Sequence, residues 1–206
     1  MADAPPPDTV VFDLGGVLID WNPRHLYRKL FAREDAMEEF LAEVCTGAWN
    51  VEQDRGRPFA EATALLVERH PHHRAMIEAY FDRWTEMLNG PIHGTVAVLE
   101  ELHGRGVPLF ALTNWSAETW PRGIEAQPRL ADAFGVTVVS GQEGTLKPGA
   151  RIFETLCDRA GVAPEDCVFI DDGAHNIAGA EAVGMDGIHF TGPAALRNAL
   201  AERGLV

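Results

Sequence analysis

Residues 10–18 read Val-Val-Phe-Asp-Leu-Gly-Gly-Val-Leu, an apolar strand that ends in a carboxylate and then turns through two glycines. The carboxylate is Asp13, and the turn follows at Gly15 and Gly16. An unpaired charge at the edge of an apolar core is costly, so a lone aspartate at the end of a buried strand points to a functional role. Asp13 is therefore the first candidate site residue.

Later segments repeat this pattern of an apolar run followed by polar side chains. They end at Thr113 and Asn114, at Lys147 before a proline, and at Asp171 and Asp172. The carboxyl ends of strands in an open parallel sheet face one crevice, so we expect these side chains to converge on the first aspartate. Several carboxylates, a lysine and a hydroxyl in one crevice predict a site for a divalent metal and a phosphate group.

Strand and helix patterns alternate along residues 96–202, which indicates parallel βαβ units and an α/β fold with a doubly wound parallel sheet. Residues 21–88 instead carry apolar residues at helical spacing, with no strand pattern. A helical insertion after the first strand emerges beside the crevice, where it can act as a lid. We therefore expect an α/β core over residues 9–20 and 90–206, a helical cap over 21–89, and a disordered lead-in over 1–8.

The composition of the chain limits the kinds of partner that it is expected to bind. A formal net charge of −14 argues against nucleic acid, which requires clustered lysine and arginine, but not against a small anionic substrate. No apolar stretch approaches the ~20 residues that span a bilayer, so no membrane partner is expected. The start of the chain resembles neither a signal nor a transit peptide, and the cysteines show no metal-ligand spacing, so a cytoplasmic location is expected. A monomer and a homodimer both remain open.

Taken together and in this order, the four segments resemble the haloacid dehalogenase (HAD) superfamily, in the branch whose helical cap follows the first strand. The resemblance covers residues 9–205 and implies a Rossmann-like core with a small inserted α-helical cap. It also implies that Asp13 is a nucleophile that takes up a phosphoryl group as an aspartyl-phosphate, with Thr113 and Lys147 as further catalytic residues. A carboxylate is a competent covalent catalyst once cations neutralise the phosphoryl charge.

The same resemblance implies a Mg²⁺ cofactor held by the carboxylates of Asp13, Asp171 and Asp172 and by the backbone carbonyl of Gly15. Oxygen ligands of this hardness suit Mg²⁺ better than Zn²⁺. We favour Asp172 as a direct ligand and leave Asp171 as either a direct ligand or one that acts through a water. The remaining candidates for binding phosphate and substrate are Gly15, Gly16, Asn114 and, in the cap, Trp21, Arg24 and Arg55.

Gly15 departs from the family pattern. Most family phosphatases carry a second aspartate there, which acts first as a general acid and then as a general base. Such help is worth about 10²–10⁴-fold in rate. Either another group or water moves the proton, with His25 and His175 as candidates, or the leaving group needs little protonation. Some sugar-phosphate phosphatases of the superfamily are similar in having glycine at this position.

These observations favour a Mg²⁺-dependent phosphatase that acts on a small phosphorylated metabolite, such as a sugar phosphate. One alternative is a 2-haloacid dehalogenase, which also lacks the second aspartate and whose nucleophile attacks carbon without a metal. The acidic pair Asp171 and Asp172 argues against it, because it would repel a carboxylate-bearing substrate. The other alternative is a weakly catalytic phosphate-binding protein, which Gly15 motivates and which Asp13 and Lys147 oppose.

Overall fold

The computed structural model describes residues 7–206, apart from the side chain of residue 131. Within that range the strands are β1 (Thr9–Phe12), β2 (Ile19–Trp21), β3 (Leu88–Pro91), β4 (Leu109–Thr113), β5 (Val136–Val139), β6 (Cys167–Asp171) and β7 (Asp186–His189). The α-helices there are α1 (Pro23–Tyr27), α2 (Glu34–Glu43), α3 (Gly47–Asp54), α4 (Phe59–Arg69), α5 (Arg74–Asp82), α6 (His93–Gly104), α7 (Trp120–Ala126), α8 (Arg129–Asp132), α9 (Ser140–Glu143), α10 (Ala150–Ala160), α11 (Ala174–Ala182) and α12 (Pro193–Glu202). Short 3₁₀ turns lie at Pro71–His73, Trp84–Met87 and Pro164–Asp166.

The main sheet has the strand order β5-β4-β1-β6-β7, and every neighbouring pair in it is parallel. Phe12 at the end of β1 is in register with Ala111 of β4 on one side and Ile170 of β6 on the other. The chain leaves β1 toward β4 and later returns to its opposite side at β6, so a crevice opens at the carboxyl end of β1. The expected fold class, a doubly wound parallel sheet with inserted helices, is confirmed.

Successive side chains of β1 point to opposite faces of the sheet, as they do in any strand. Val10 and Phe12 join one buried cluster, and Val11 joins the other, where it lies with Phe169 of β6. The side chains of Val10, Val11 and Phe12 are fully buried. A strand covered on both faces must be apolar throughout, which is why β1 is a continuous apolar run up to Asp13.

Helix α10 shows how a helix packs against the sheet through one buried face. Its buried residues are Ile152, Phe153, Leu156 and Cys157, which lie on one face of a helix because they are one, three or four positions apart. The helix ends at Gly161, which adopts a left-handed conformation with φ 68° and donates its N–H to the Cys157 carbonyl. The sequence therefore specifies both the buried face and the end of this helix.

Helices α1–α5 form the insertion between β2 and β3, and aromatic side chains fill its interior. The ring centroids of Tyr27 and Phe40 lie 5.0 Å apart, and those of Trp49 and Tyr80 lie 5.0 Å apart at an angle of 85°. The Tyr27 hydroxyl donates to the backbone carbonyl of Met76 at 2.9 Å, so its polar end is satisfied inside this cluster.

The antiparallel pair β2–β3 at the base of the insertion was not expected. Ile19 pairs with Pro91 and Trp21 with Leu88, so these strands cover positions at which the sequence showed no strand pattern. Each strand has only three or four residues, and residues 89–91 resemble a turn in sequence. Pairing between segments so far apart leaves no local periodicity to detect.

Residues 1–6 of the expected lead-in lie outside the described residues. Asp8 is described and donates its backbone N–H to the carbonyl of Asp166 at 3.1 Å, so the chain is already attached to the core at this position. Among the helices within residues 7–206, none combines the length and the apolar character that crossing a membrane requires.

Candidate active site

A pocket of about 360 Å³ opens at the carboxyl ends of β1, β4 and β6, between the sheet and the inserted helices. This volume suits a small metabolite. The sheet side of the pocket is lined by Asp13, Gly15, Gly16, Thr113, Asn114 and Asp172. The side of the inserted helices includes Trp21, Asn22, Arg24, Asn50, Asp54 and Trp84. The predicted convergence of strand-end residues is therefore observed.

Asp13 follows directly after β1, where its backbone N–H bonds to the Ile170 carbonyl of β6 at 2.8 Å. Its carboxylate oxygen Oδ1 accepts the Leu14 N–H at 2.8 Å and lies 2.9 Å from Nζ of Lys147. Burial raises the pKa of Asp13, and the Lys147 ammonium opposes that rise. The geometry leaves Asp13 at the pocket wall with one oxygen fixed by the protein.

Lys147 is fully buried behind Asp13, and its ammonium group has a partner for each of its three protons. The partners are the Leu112 carbonyl at 2.9 Å, Asp13 Oδ1 at 2.9 Å and Asp171 Oδ2 at 2.6 Å. Burial opposes the charge on Lys147, but the two carboxylates outweigh burial and raise the pKa of the ammonium. Lys147 is thus held as a cation beside the candidate nucleophile.

Asn114 lines the pocket, yet both ends of its amide are used by the main chain of Lys147. Its Nδ2 donates to the Lys147 carbonyl at 3.1 Å, and its Oδ1 accepts the Lys147 N–H at 2.9 Å. The side chain predicted to bind phosphate therefore also fixes the loop that carries the lysine. Thr113, at the end of β4, is buried and lines the same pocket.

The two neighbouring aspartates after β6 differ in their surroundings. Asp171 is fully buried; Oδ2 faces Lys147, and Oδ1 accepts the Gly173 N–H at 2.7 Å and Asn176 Nδ2 at 3.0 Å. Asp172 lines the pocket and is exposed there, and partial burial of its carboxylate together with the Asp171 charge raises its pKa. Asp172 is therefore the better placed of the two for direct metal ligation, whereas Asp171 holds Lys147.

Asp13, Asp171 and Asp172 each offer a carboxylate oxygen, and these atoms lie within 4.8 Å of one another. Asp13 and Asp172 line the pocket, with the buried Asp171 behind them, and hard oxygen donors of this kind fit a Mg²⁺ ion. The Asp171 charge contributes to the raised pKa of Asp13 and of Asp172, and a bound cation would offset that repulsion. The donor set is therefore consistent with the predicted cofactor.

Gly15 and Gly16 differ sharply in the space around them. A Cβ on Gly16 would lie 2.3 Å from Oδ2 of Asp172, and the backbone φ of Gly16 is +76°. Both facts favour glycine there, because other residues rarely adopt this conformation and would collide with the carboxylate. At Gly15, by contrast, a Cβ would meet nothing within 4 Å, and φ is not positive.

The three residues predicted to select the substrate are placed differently. Trp21 and Arg24 line the pocket, although the Arg24 guanidinium forms a two-point ion pair with Glu38 at 2.6 Å. Arg55 does not line the pocket; it is exposed and lies 3.6 Å from Glu52. The expectation that Arg55 faces the substrate is not met in this structure, because the helical turn directs its side chain to solvent.

Neither histidine considered as a substitute acid lines the pocket. His25 lies against Asp20, with Nε2 3.0 Å from Oδ1. His175 is exposed at the start of α11. The aromatic lining instead includes Trp84 and Trp115, whose ring centroids lie 5.2 Å apart.

The pocket residue that the sequence analysis missed is Asp54, the last residue of α3. Its carboxylate accepts Asn50 Nδ2 at 2.9 Å and the backbone N–H of Ser116. Burial raises the pKa of Asp54 to about 8, and the neighbouring Asp13 charge adds to the rise. In sequence Asp54 lies in a polar turn, and nothing in its spacing distinguishes it from a solvated residue.

A family model described as haloacid dehalogenase-like hydrolase matches residues 7–184. The chain belongs to this family. A sesquiterpene phosphatase of Aspergillus oryzae is 27% identical over 182 residues, which cover 88% of this chain and 88% of that protein.

Solved structures share the fold. A HAD-like family hydrolase from Porphyromonas gingivalis gives a TM-score of 0.72 at 25% identity, covering 94% of this chain and 98% of that one. A HAD family enzyme from Bacteroides thetaiotaomicron, solved with magnesium and inorganic phosphate, gives a TM-score of 0.66 at 22% identity. The match covers 88% of this chain and 93% of that one. This HAD-like hydrolase therefore shares its architecture with enzymes of the family across nearly its whole length.

Proposed function

We propose that this HAD-like hydrolase is a Mg²⁺-dependent phosphatase of small phosphate monoesters that works through an aspartyl-phosphate on Asp13. The observation that carries the proposal is the placement of the Lys147 ammonium 2.9 Å from Oδ1 of Asp13, at the wall of a pocket that also exposes Asp172. The similarity to the Aspergillus sesquiterpene phosphatase supports it. So do the magnesium and phosphate in the Bacteroides structure.

In the first step the carboxylate of Asp13, held in place through Oδ1 by Lys147 and the Leu14 N–H, attacks phosphorus. A P–O bond to Asp13 forms as the bond to the leaving oxygen breaks, and the leaving oxygen takes a proton. In the second step water attacks the same phosphorus, releases inorganic phosphate and restores the carboxylate.

The ammonium of Lys147 offsets the negative charge of the phosphoryl oxygens as they approach the carboxylate of Asp13. As a fixed point charge in a buried position, it needs no reorganisation when the reaction occurs. Thr113 lies at the end of the neighbouring strand and offers a hydroxyl to a phosphoryl oxygen. Mg²⁺, held by Asp13, Asp172 and the Gly15 carbonyl, would neutralise phosphoryl charge and orient the group for in-line attack.

Asp171 acts in this scheme through Lys147. Its Oδ2 anchors the ammonium at 2.6 Å, and its Oδ1 is held by the Gly173 N–H and by Asn176. A buried lysine needs such counter-charges to remain protonated. We propose Asp171 as a positioning residue that keeps the cation aimed at Asp13.

The leaving group lies against the inserted helices, which we propose form a cap over residues 21–89. Trp21 and Trp84 on this side, with Trp115 from the loop after β4, supply flat apolar walls, and Asn22 and Arg24 supply polar contacts. Such walls accept the face of a sugar ring or another small ring with few charges. A sugar phosphate or a related small ring-bearing metabolite therefore fits the pocket.

The test is phosphate release from a panel of esters, with and without Mg²⁺. The panel contains 4-nitrophenyl phosphate and several sugar 1- and 6-phosphates, and chloride release from 2-chloropropionate is measured in parallel. We expect Mg²⁺-dependent phosphate release that Asp13→Asn abolishes and that Asp158→Asn, an exposed change on α10, leaves intact.

The other outcomes separate the alternatives. Metal-independent chloride release would establish a dehalogenase and overturn the proposal. Binding of phosphate esters without release of phosphate or chloride would indicate a phosphate-binding protein. Phosphate release that survives Asp13→Asn would overturn the assignment of the nucleophile.

A further inference from the structure

We infer that Asp54, on the inserted helices, is the general acid and base of this site and takes over the proton transfers that Gly15 cannot perform. The inference rests on the proposed phosphatase function and assigns one residue within it. Asp54 lines the same pocket as Asp13 and Gly15, from the opposite wall. Gly15 carries no side chain, and its surroundings are open within 4 Å of a Cβ position, so the leaving oxygen must find its proton elsewhere.

The main chain of Asp54 is fastened to the sheet side of the pocket. Its carbonyl accepts the hydroxyl of Ser140 at 2.5 Å, and the same hydroxyl accepts the N–H of Trp115 at 2.9 Å. Ser140 is fully buried, so this connection is shielded from water. The last residue of α3 is therefore held, through Ser140 of α9, against the loop that begins directly after Thr113 at the end of β4.

The carboxyl group of Asp54 is oriented by two further donors. Asn50, one turn earlier in α3, donates its Nδ2 to Oδ2 at 2.9 Å, and the backbone N–H of Ser116 also donates to the carboxylate. These bonds fix the side chain from both walls of the pocket and favour one orientation. A second attachment nearby, from the Phe59 N–H to Oε2 of Glu118 at 2.6 Å, holds the start of α4 against the same loop.

The surroundings of Asp54 suit a proton donor. Burial raises its pKa to about 8, so the carboxyl group holds its proton near neutral pH. The titratable groups that face it are Asp13 from the end of β1 and Tyr80 from α5, and Asp54 raises the pKa of Tyr80 in turn. Tyr80 is fully buried in the aromatic cluster and does not line the pocket, which leaves Asp54 as the donor on this wall.

Asp54 gives up one proton in the first step and regains one in the second. As the bond between phosphorus and the leaving oxygen breaks, Asp54 gives its proton to that oxygen, and the product leaves as the neutral alcohol. The resulting carboxylate then takes a proton from the water that attacks the phosphorus of the aspartyl-phosphate. Inorganic phosphate leaves, Asp13 is restored as a carboxylate, and Asp54 is protonated again.

The experiment compares two esters of similar shape, phenyl phosphate and 4-nitrophenyl phosphate, with the full-length protein in Mg²⁺. The phenolate that leaves phenyl phosphate needs a proton, whereas 4-nitrophenolate departs as the anion. We expect Asp54→Asn to lower kcat/KM for phenyl phosphate about 10²-fold and for 4-nitrophenyl phosphate less than about 5-fold. Asp54→Glu, which keeps a carboxyl group, should recover part of the lost rate on phenyl phosphate.

Glu52→Gln is the matched control, because Glu52 lies on the same helix, is half exposed and pairs with Arg55 outside the pocket. It should leave both rates unchanged. Since the Ser140 hydroxyl bonds to the main chain of Asp54, Asp54→Asn keeps that attachment, and circular dichroism checks the fold. Asp54→Ser gives the same comparison if the asparagine variant does not fold.

Equal losses on the two esters, or no loss on either, would overturn the role of Asp54 while the phosphatase assignment stands. A wild-type protein that hydrolyses only 4-nitrophenyl phosphate would also overturn it, because no acid would then be at work. Absence of Asp13-dependent phosphate release from both esters would instead overturn the proposed function, and the role of Asp54 with it.

Discussion

Nζ of Lys147 lies 2.6 Å from Oδ2 of Asp171, and both side chains are fully buried. Removing one partner of a buried ion pair leaves a charge without compensation and typically costs about 3–5 kcal/mol. We therefore expect Asp171→Ala to lower the free energy of unfolding by about 3 kcal/mol, measured by urea denaturation without divalent metal. Asp172→Ala should change it by less than about 1 kcal/mol, because Asp172 is exposed at the pocket. Similar losses in the two variants would contradict this division of roles.

The two glycines after Asp13 should respond differently to the same substitution. Gly16→Ala places a methyl group 2.3 Å from Oδ2 of Asp172 on a backbone with φ +76°, so it should destabilise the protein by about 1–2 kcal/mol. It should also weaken Mg²⁺ binding about tenfold, measured by calorimetric titration, because Asp172 must move. Gly15→Ala meets nothing within 4 Å and should change stability by less than about 0.5 kcal/mol. Equal destabilisation by both variants would contradict the observed geometry.

The pKa of Asp54, raised to about 8 chiefly by burial, links stability to pH. Between about pH 4 and pH 8 the folded protein keeps a proton that the unfolded chain has released, so the free energy of unfolding falls as the pH rises. Asparagine has no such proton. The free energy of unfolding of Asp54→Asn should therefore rise relative to that of the wild-type protein by about 4–5 kcal/mol from pH 4 to pH 8, measured by urea denaturation. A difference that stays constant with pH would show that the pKa of Asp54 is not raised.

A second carboxylate at position 15 should replace Asp54 in function. The space around Gly15 accommodates a side chain, and an aspartate there would lie on the pocket wall beside Asp13. We expect Gly15→Asp, combined with Asp54→Asn, to raise kcat/KM for phenyl phosphate at least about tenfold over Asp54→Asn alone. The rate on 4-nitrophenyl phosphate should change little. If the double variant binds Mg²⁺ normally but its kcat/KM for phenyl phosphate does not rise, then Asp54→Asn lowers the rate for a reason other than lost proton transfer.

The sequence was sufficient to predict the sheet and the residues at its carboxyl edge. β1 is a continuous apolar run that ends at Asp13, and this pattern is local, so it can be read without knowing the fold. Parallel strands bring their ends to one edge, and that rule placed Thr113 and Asp172 near Asp13. Lys147 was also expected there, but it lies in the loop between α9 and α10 and not at the end of a strand. The exact roles of these residues remain predictions, but the proximity of Thr113 and Asp172 to Asp13 follows from topology.

Features that depend on distant contacts were not predictable in this way. β2 pairs with β3 across the whole insertion, and neither strand is long enough to show a period. Asp54 reaches the pocket because its carbonyl bonds to Ser140, 86 residues later in the chain. Arg55, its neighbour, points to solvent instead, and only the register of α3 decides which of the two faces the pocket.

The Ser140 hydroxyl joins the carbonyl of Asp54 to the backbone of Trp115, so it links access to the pocket with the supply of protons. Any movement that lifts α3 from the sheet must break this bond and carries Asp54 away with it. Under the proposed mechanism, an opened molecule would retain the nucleophile Asp13 but lose the proton donor Asp54. The aspartyl-phosphate would consequently be long-lived whenever the pocket is open. The rate of its hydrolysis would then be limited by the return of α3 to the sheet and not by the entry of water.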